Sequence, residues 1–210
     1  MFALIKREIR DHLIFFFSAF ILSGILVGFS ISLLYEYRYI DSVAEQMAAW
    51  IVIVSIVILG FFAMGAVQMY IDRTRRISAF ISTLPVSRSR ILLAKLIAGM
   101  LAILTLLLPL LIAVIILFRL LSPPIPLFGG IIVEVFTGYF LTALACYCIG
   151  LQTGSKTGKP GAALSGLVLT LILISLISIK GFGTPLVVLL VLFIIASVFR
   201  VWHTFTTMSL

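Results

Sequence analysis

Charge is what this chain of 210 residues has least of. Asp, Glu, Lys and Arg together make up 10% of it, against 63% hydrophobic residues. No water-soluble core could hide that much apolar surface, so a soluble globular class is excluded. Acids are the scarcer sign, seven against fifteen Lys and Arg. Cysteine is limited to Cys146 and Cys148, and histidine to His12 and His203. The two cysteines stand two residues apart, about 200° around a helix, so they cannot face one ligand and read as packing residues. Neither histidine has acidic neighbours at metal-ligand spacing, and HExxH, GxSxG and a carboxylate cluster are all missing. A disulfide scaffold, a metal centre and a hydrolytic site within this chain are therefore not expected. We expect no catalytic residue, no metal ligand and no cofactor-binding residue in it.

Long apolar runs are what the chain does contain. Six stretches, at residues 13–34, 48–70, 91–118, 127–151, 161–179 and 184–202, approach or exceed the roughly 20 residues that cross a bilayer as a helix. They are too long for barrel strands of about 10 residues and show no polar alternation. The expected fold is all-α integral membrane: six transmembrane helices in a single membrane domain covering residues 1–210. The basic start of the chain invites a signal-peptide reading. Its apolar run is long and lacks a small-residue cleavage site, so a retained first span is expected.

The net charge of +8 is distributed by topology. With the N-terminus inside, the cytoplasmic segments hold Lys6, Arg7, Arg10, Arg73, Arg75, Arg76, Arg88, Arg90, Lys95, Lys156, Lys159 and Arg200, while the outer side holds Arg38, Arg119 and Lys180. That asymmetry predicts cytoplasmic N- and C-termini in a multi-pass protein of the cell membrane. It also removes the nucleic-acid reading and leaves anionic lipid headgroups as partners of the basic face.

Two polar segments are amphipathic. In residues 1–12, Phe2, Ile5 and Ile9 line one side, with Lys6, Arg7, Glu8, Arg10 and Asp11 around the rest, which predicts an interfacial helix. In residues 72–95 six basic residues face one acid, and Ile77, Phe80, Ile81 and Leu84 recur at helical spacing. A cytoplasmic helix over about residues 73–84, between spans 2 and 3, is expected. Pro85 ends it and Ser87 caps the next helix. Pro109 falls inside span 3 and predicts a kink, while residues 122–126, SPPIP, form a stiff outer turn.

Gly24 and Gly28 form a GxxxG in span 1, and Ala162 and Gly166 a small-xxx-small pair in span 5. Both are candidate helix–helix interfaces. Glu134 is the single acid within a span, and a carboxylate at that depth is a candidate for a substrate pathway. Residues 154–159, GSKTGK, imitate a phosphate loop. The spacing between the glycines is one residue short, and Pro160 stands where the magnesium-binding Ser or Thr would be. Nucleotide hydrolysis must come from another chain.

At residues 83–95, TLPVSRSRILLAK, the sequence resembles the membrane subunits of ATP-binding-cassette exporters of the ABC-2 type. The family's Leu-Pro-hydrophobic-Ser-Arg-x-x-Ile/Leu-x-x-x-Lys run is matched by Leu84, Pro85, Val86, Ser87, Arg88, Ile91 and Lys95. The amphipathic start and six spans match its general plan. The acidic-Gly-x-Leu pattern that often precedes the motif is absent, and residues 180–185 shorten the outer segment between the last spans. The resemblance implies an exporter permease that forms the substrate pathway with a second permease copy or a homologous chain. Two separate cytoplasmic ATPase subunits would bind ATP and magnesium. It implies an ATPase-coupling role for Arg73, Arg75, Arg76, Ile77, Phe80, Ile81, Leu84, Pro85, Ser87 and Arg88. The residues by themselves also allow a non-transporting membrane scaffold or regulatory subunit, or an ion-coupled carrier.

Overall fold

The structure is a computed structural model, and it describes the backbone of residues 2–11, 13–36, 43–74, 88–121, 128–155, 160–180 and 183–207. All the regular structure among them is helical: α1 (Phe2–Asp11), α2 (Leu13–Glu36), α3 (Val43–Thr74), α4 (Arg88–Leu121), α5 (Phe128–Ser155), α6 (Pro160–Lys180) and α7 (Thr184–Thr207). Each of the six long apolar stretches falls largely or wholly within one helix. Four of the helices are long and apolar enough to cross a bilayer, over Val52–Ile71, Ser89–Ala113, Val133–Gly154 and Thr184–Thr204. A fifth is counted if α1 and the start of α2, which meet at 69°, form one bent span. Gly161–Ile177 in α6 is a shorter apolar helix. The protein is an all-helical membrane protein.

Local chemistry sets several helix ends. Pro160 is the first residue of α6, a position where its missing N–H costs nothing and its fixed φ favours the helix. At the start of α7, the Gly183 carbonyl accepts from the amides of Leu186 and Val187 at 2.9 and 3.1 Å. Helix α4 continues through Pro109 to Leu121. Hydroxyls within the apolar helices turn back on their own turns: Thr105 donates to the Leu101 carbonyl at 2.8 Å, Thr142 to Gly138 at 2.7 Å and Thr170 to Gly166 at 2.9 Å. Hydrocarbon offers them no water, so the preceding turn supplies the acceptor.

α5 is the centre of the bundle. It packs most extensively on α3, also on α7, α4 and α6, while α2 lies against α4. The α3–α5 pair touches backbone to backbone. A Cβ on Gly65 would strike the Tyr147 carbonyl oxygen; on Gly150, the Phe62 carbonyl oxygen; on Gly154, the Ala66 carbonyl oxygen. Without a hydrophobic force between helices in lipid, such close approach gives the dispersion contact that holds them together. One side of α5 joins a core of Ala19, Leu26, Phe61, Met64, Leu92, Ile103 and Tyr147. The other side joins Ile58, Phe62, Leu173, Ile174 and Leu190. Cys146 and Cys148 are free thiols, fully buried in the second and first of these cores respectively, as packing residues on different faces should be.

Candidate functional site

The most unusual chemistry in the bundle is a buried polar cluster drawn from four helices: Glu8 of α1, Gln68 of α3, Lys95 of α4 and Tyr147 of α5. Lys95 has no exposed side-chain surface, and Glu8 keeps 14% of its own. The Lys95 ammonium donates to both Glu8 carboxylate oxygens, at 3.2 and 3.3 Å. Gln68 Nε2 donates to Glu8 Oε2 at 3.1 Å. The Tyr147 hydroxyl donates a proton shared between Gln68 Oε1 at 2.5 Å and the Lys95 carbonyl oxygen at 2.9 Å. The Gln68 amide thus has only one sensible orientation, with its nitrogen towards a carboxylate and its oxygen towards a hydroxyl donor.

Several local features build this arrangement. In α1, Glu8 follows Ile5 by three residues and precedes Ile9, and all three are half-buried, while Lys6, Arg10 and Asp11 are exposed. The side that docks is therefore mixed, with a carboxylate between two isoleucines. A spacing-based division into apolar and charged faces assigns Glu8 to the wrong side. In α4, Gly99 makes room for the Tyr147 ring, since a Cβ there would overlap it. The ring lies flush on α4, which brings its hydroxyl one turn back to the Lys95 carbonyl. Gln68, Lys95 and Tyr147 stand six, seven and eight residues from the chain-reversal ends of their helices at Thr74, Arg88 and Ser155. At 1.5 Å per residue that is about 9 to 12 Å, a single layer near one end of the bundle. Close to it, Gln152 Nε2 of α5 donates to the Ser197 carbonyl of α7 at 3.3 Å.

A cation and an anion removed from water together cost several kcal/mol each, offset only by good geometry and further hydrogen bonds. Gln68 and Tyr147 supply those bonds. Removing one ion alone would take its opposite charge at 3.2 Å away from the other. The cluster can hold four elements in register and can respond as a unit to movement of any of them.

The residues expected from the sequence fall in three groups. Arg75, Arg76, Ile77, Phe80, Ile81, Leu84, Pro85 and Ser87 lie outside the described residues. Arg73 stands in the last turn of α3 and Arg88 at the first residue of α4, so they flank that segment on the two helices that carry Gln68 and Lys95. Glu134 is on α5, exposed on the outer surface of the bundle between exposed Val133 and Val135. It does not point into the interior of a single chain. Gly24 and Gly28 are exposed on α2, with nothing within 4 Å of a Cβ at either. Ala19, Ser23 and Leu26 form the buried face of that helix instead. Gly166 is buried against α5, where a Cβ would meet the Thr153 methyl, and Ala162 is half-buried.

Gln68 and Tyr147 escaped sequence reasoning, Glu8 entered it only as part of a charged helix side, and Lys95 only as a cytoplasmic base and the last residue of a motif. A signal existed for Lys95: it lies a full turn inside an apolar helix, where a lone cation demands a partner. Nothing in the sequence selects that partner among seven acids. Groups of His, Cys, Asp and Glu able to hold a metal are absent among the described residues. No family model, curated protein or solved structure matches this chain.

Proposed function

We propose that the protein is the permease subunit of an ABC exporter of the ABC-2 type. It would span the membrane six times, with both termini in the cytoplasm of a cell whose plasma or inner membrane it occupies. One observation carries the reading: the motif run of residues 83–95 ends on Lys95, and Lys95 is the keystone of the buried cluster joining α1, α3, α4 and α5. A run leading from a basic cytoplasmic segment into a helix anchored at such a junction is what transmits movement from outside the membrane into a bundle.

In this reading Ile77, Phe80, Ile81 and Leu84 seat in a groove of a cytoplasmic ATPase, each contributing about 1.5–3 kcal/mol before ordering costs. Arg73, Arg75, Arg76 and Arg88 meet acidic groups at its rim, and Pro85 and Ser87 make the rigid step into α4. ATP and magnesium are bound by two such ATPases, not by this chain. A second permease copy or homologous chain completes the pathway. The outward-facing Glu134 supports a pathway shared between two chains rather than one enclosed by a single bundle.

The test is Phe80→Asp in the full chain expressed in its native membrane. A charge in the docking face is expected to abolish co-purification with a nucleotide-binding ATPase while membrane insertion is unchanged. An unaltered yield of bound ATPase would overturn the coupling role. Failure of the unmodified chain to recover any ATPase would favour a scaffold without a transport path.

A further inference from the structure

We propose that Glu8 and Lys95 form a latch that makes docking of α1 conditional: paired, α1 stays docked on α4 with its carboxylate in the layer shared by α3, α4 and α5; unpaired, it leaves the bundle while those three helices stay packed on one another. The carboxylate of the pair comes from a helix of ten residues. Helices that short are marginal by themselves in water, so what α1 docks against decides where it sits. It packs chiefly on α4, with a small contact to α2. It reaches α3 through the Gln68 hydrogen bond to Glu8.

The pair is asymmetric in a way that defines how it opens. Lys95 has no exposed side-chain surface while α1 is docked, whereas Glu8 is the partner with residual exposure. Withdrawal of α1 returns Glu8 to water, and lets water reach Lys95 through the space α1 leaves. Shifting the carboxylate only part-way would break its bonds to Lys95 and Gln68 before it regains water. The cradle therefore favours two arrangements, docked and released, over a graded series.

The three groups around Glu8 are spread over three helices, Gln68 on α3, Lys95 on α4 and, through Gln68, Tyr147 on α5. Undocking α1 removes the one group to which both Gln68 and Lys95 donate. The other acid of α1 does not substitute for it: Asp11 is exposed and engaged with Arg7 at 3.4 Å. The latch belongs to the bundle itself and needs neither cargo nor ATPase. It therefore stands or falls independently of the transport reading.

The experiment uses the full chain in native membranes, carrying Ile5→Cys on the docked face of α1 and retaining native Cys146 and Cys148. A water-soluble maleimide is added and the labelling rate at each thiol is followed by mass. Glu8→Gln, Lys95→Met and the double variant are compared with this parent. The double variant contains no stranded charge and so folds even where the single ones do not. The latch predicts that labelling at position 5 rises about tenfold or more in the double variant, and in each single variant that accumulates, because the charge that keys α1 into place is gone. Cys146 and Cys148 stay as protected as in the parent. Parent-like labelling at position 5 in the double variant would overturn the proposal. So would Cys146 and Cys148 opening together with position 5, since the pair would then be an ordinary part of one cooperative core.

Discussion

Tyr147 shows how much one side chain settles in this bundle. Its ring fills the space left by Gly99, its hydroxyl bridges Gln68 and the Lys95 backbone, and its own carbonyl lies against Gly65. Tyr147→Phe keeps the ring contact and removes only the hydroxyl, leaving Gln68 Oε1 a buried acceptor without its donor. The expected loss is about 1–3 kcal/mol, read as a lower midpoint of thermal unfolding of the purified protein in detergent. An unchanged midpoint would mean that Gln68 finds another donor.

Among the elements, the α3–α5 contact depends on residues with no side chain. Gly150→Ala would push a methyl into the Phe62 carbonyl, and both atoms belong to helix backbones that cannot move independently. Overpacking of this kind costs about 1–3 kcal/mol. Gly60→Ala on the exposed side of α3, with open space around it, should be neutral or stabilise by up to about 1 kcal/mol through helix propensity. Chemical unfolding of the two variants side by side checks the contrast; equal effects would show that α3 and α5 adjust more freely than their packing implies. Gly150 and Gly154 are as plain a GxxxG as Gly24 and Gly28, yet the first pair is buried in a helix contact and the second faces outwards. The motif states that a close approach is available, and the topology decides whether anything approaches.

At the scale of the whole molecule, the bundle presents long apolar helix faces outwards, including Phe17, Phe20, Ile21 and Ile25 of α2 and Leu164, Val168 and Ile172 of α6. Bilayer hydrocarbon suits such faces, and Glu134 is the exception among them. A carboxylate at this surface is costly against lipid, yet Glu134 contributes no packing to the interior of its own chain. Glu134→Gln is therefore expected to leave the unfolding midpoint unchanged and, if the transport reading holds, to alter substrate-dependent ATP turnover of the complex with its ATPases. Unchanged turnover would assign Glu134 to the local structure at the start of α5. The twelve-to-three bias of basic residues would place the polar cluster in the cytoplasmic half of the membrane, next to the segment that the transport reading couples to an ATPase.

Composition and run length were enough to determine the class, an all-helical membrane protein, because bilayer thickness sets helix length and hydrocarbon forbids unpaired backbone. The amphipathic first helix was also legible, since it is carried by residues within a turn or two of one another. What the sequence could not determine was which apolar face meets which. Six stretches of similar hydropathy carry no mark of partner, and Glu8, Gln68, Lys95 and Tyr147 are separated by 60, 87 and 79 residues along the bonds that join them. Only the packed bundle decided that Lys95 pairs with Glu8, that Gly99 makes space for Tyr147, and that Glu134 looks outwards. The physical reason is that a buried charge must be matched in three dimensions, whereas helix formation is decided locally.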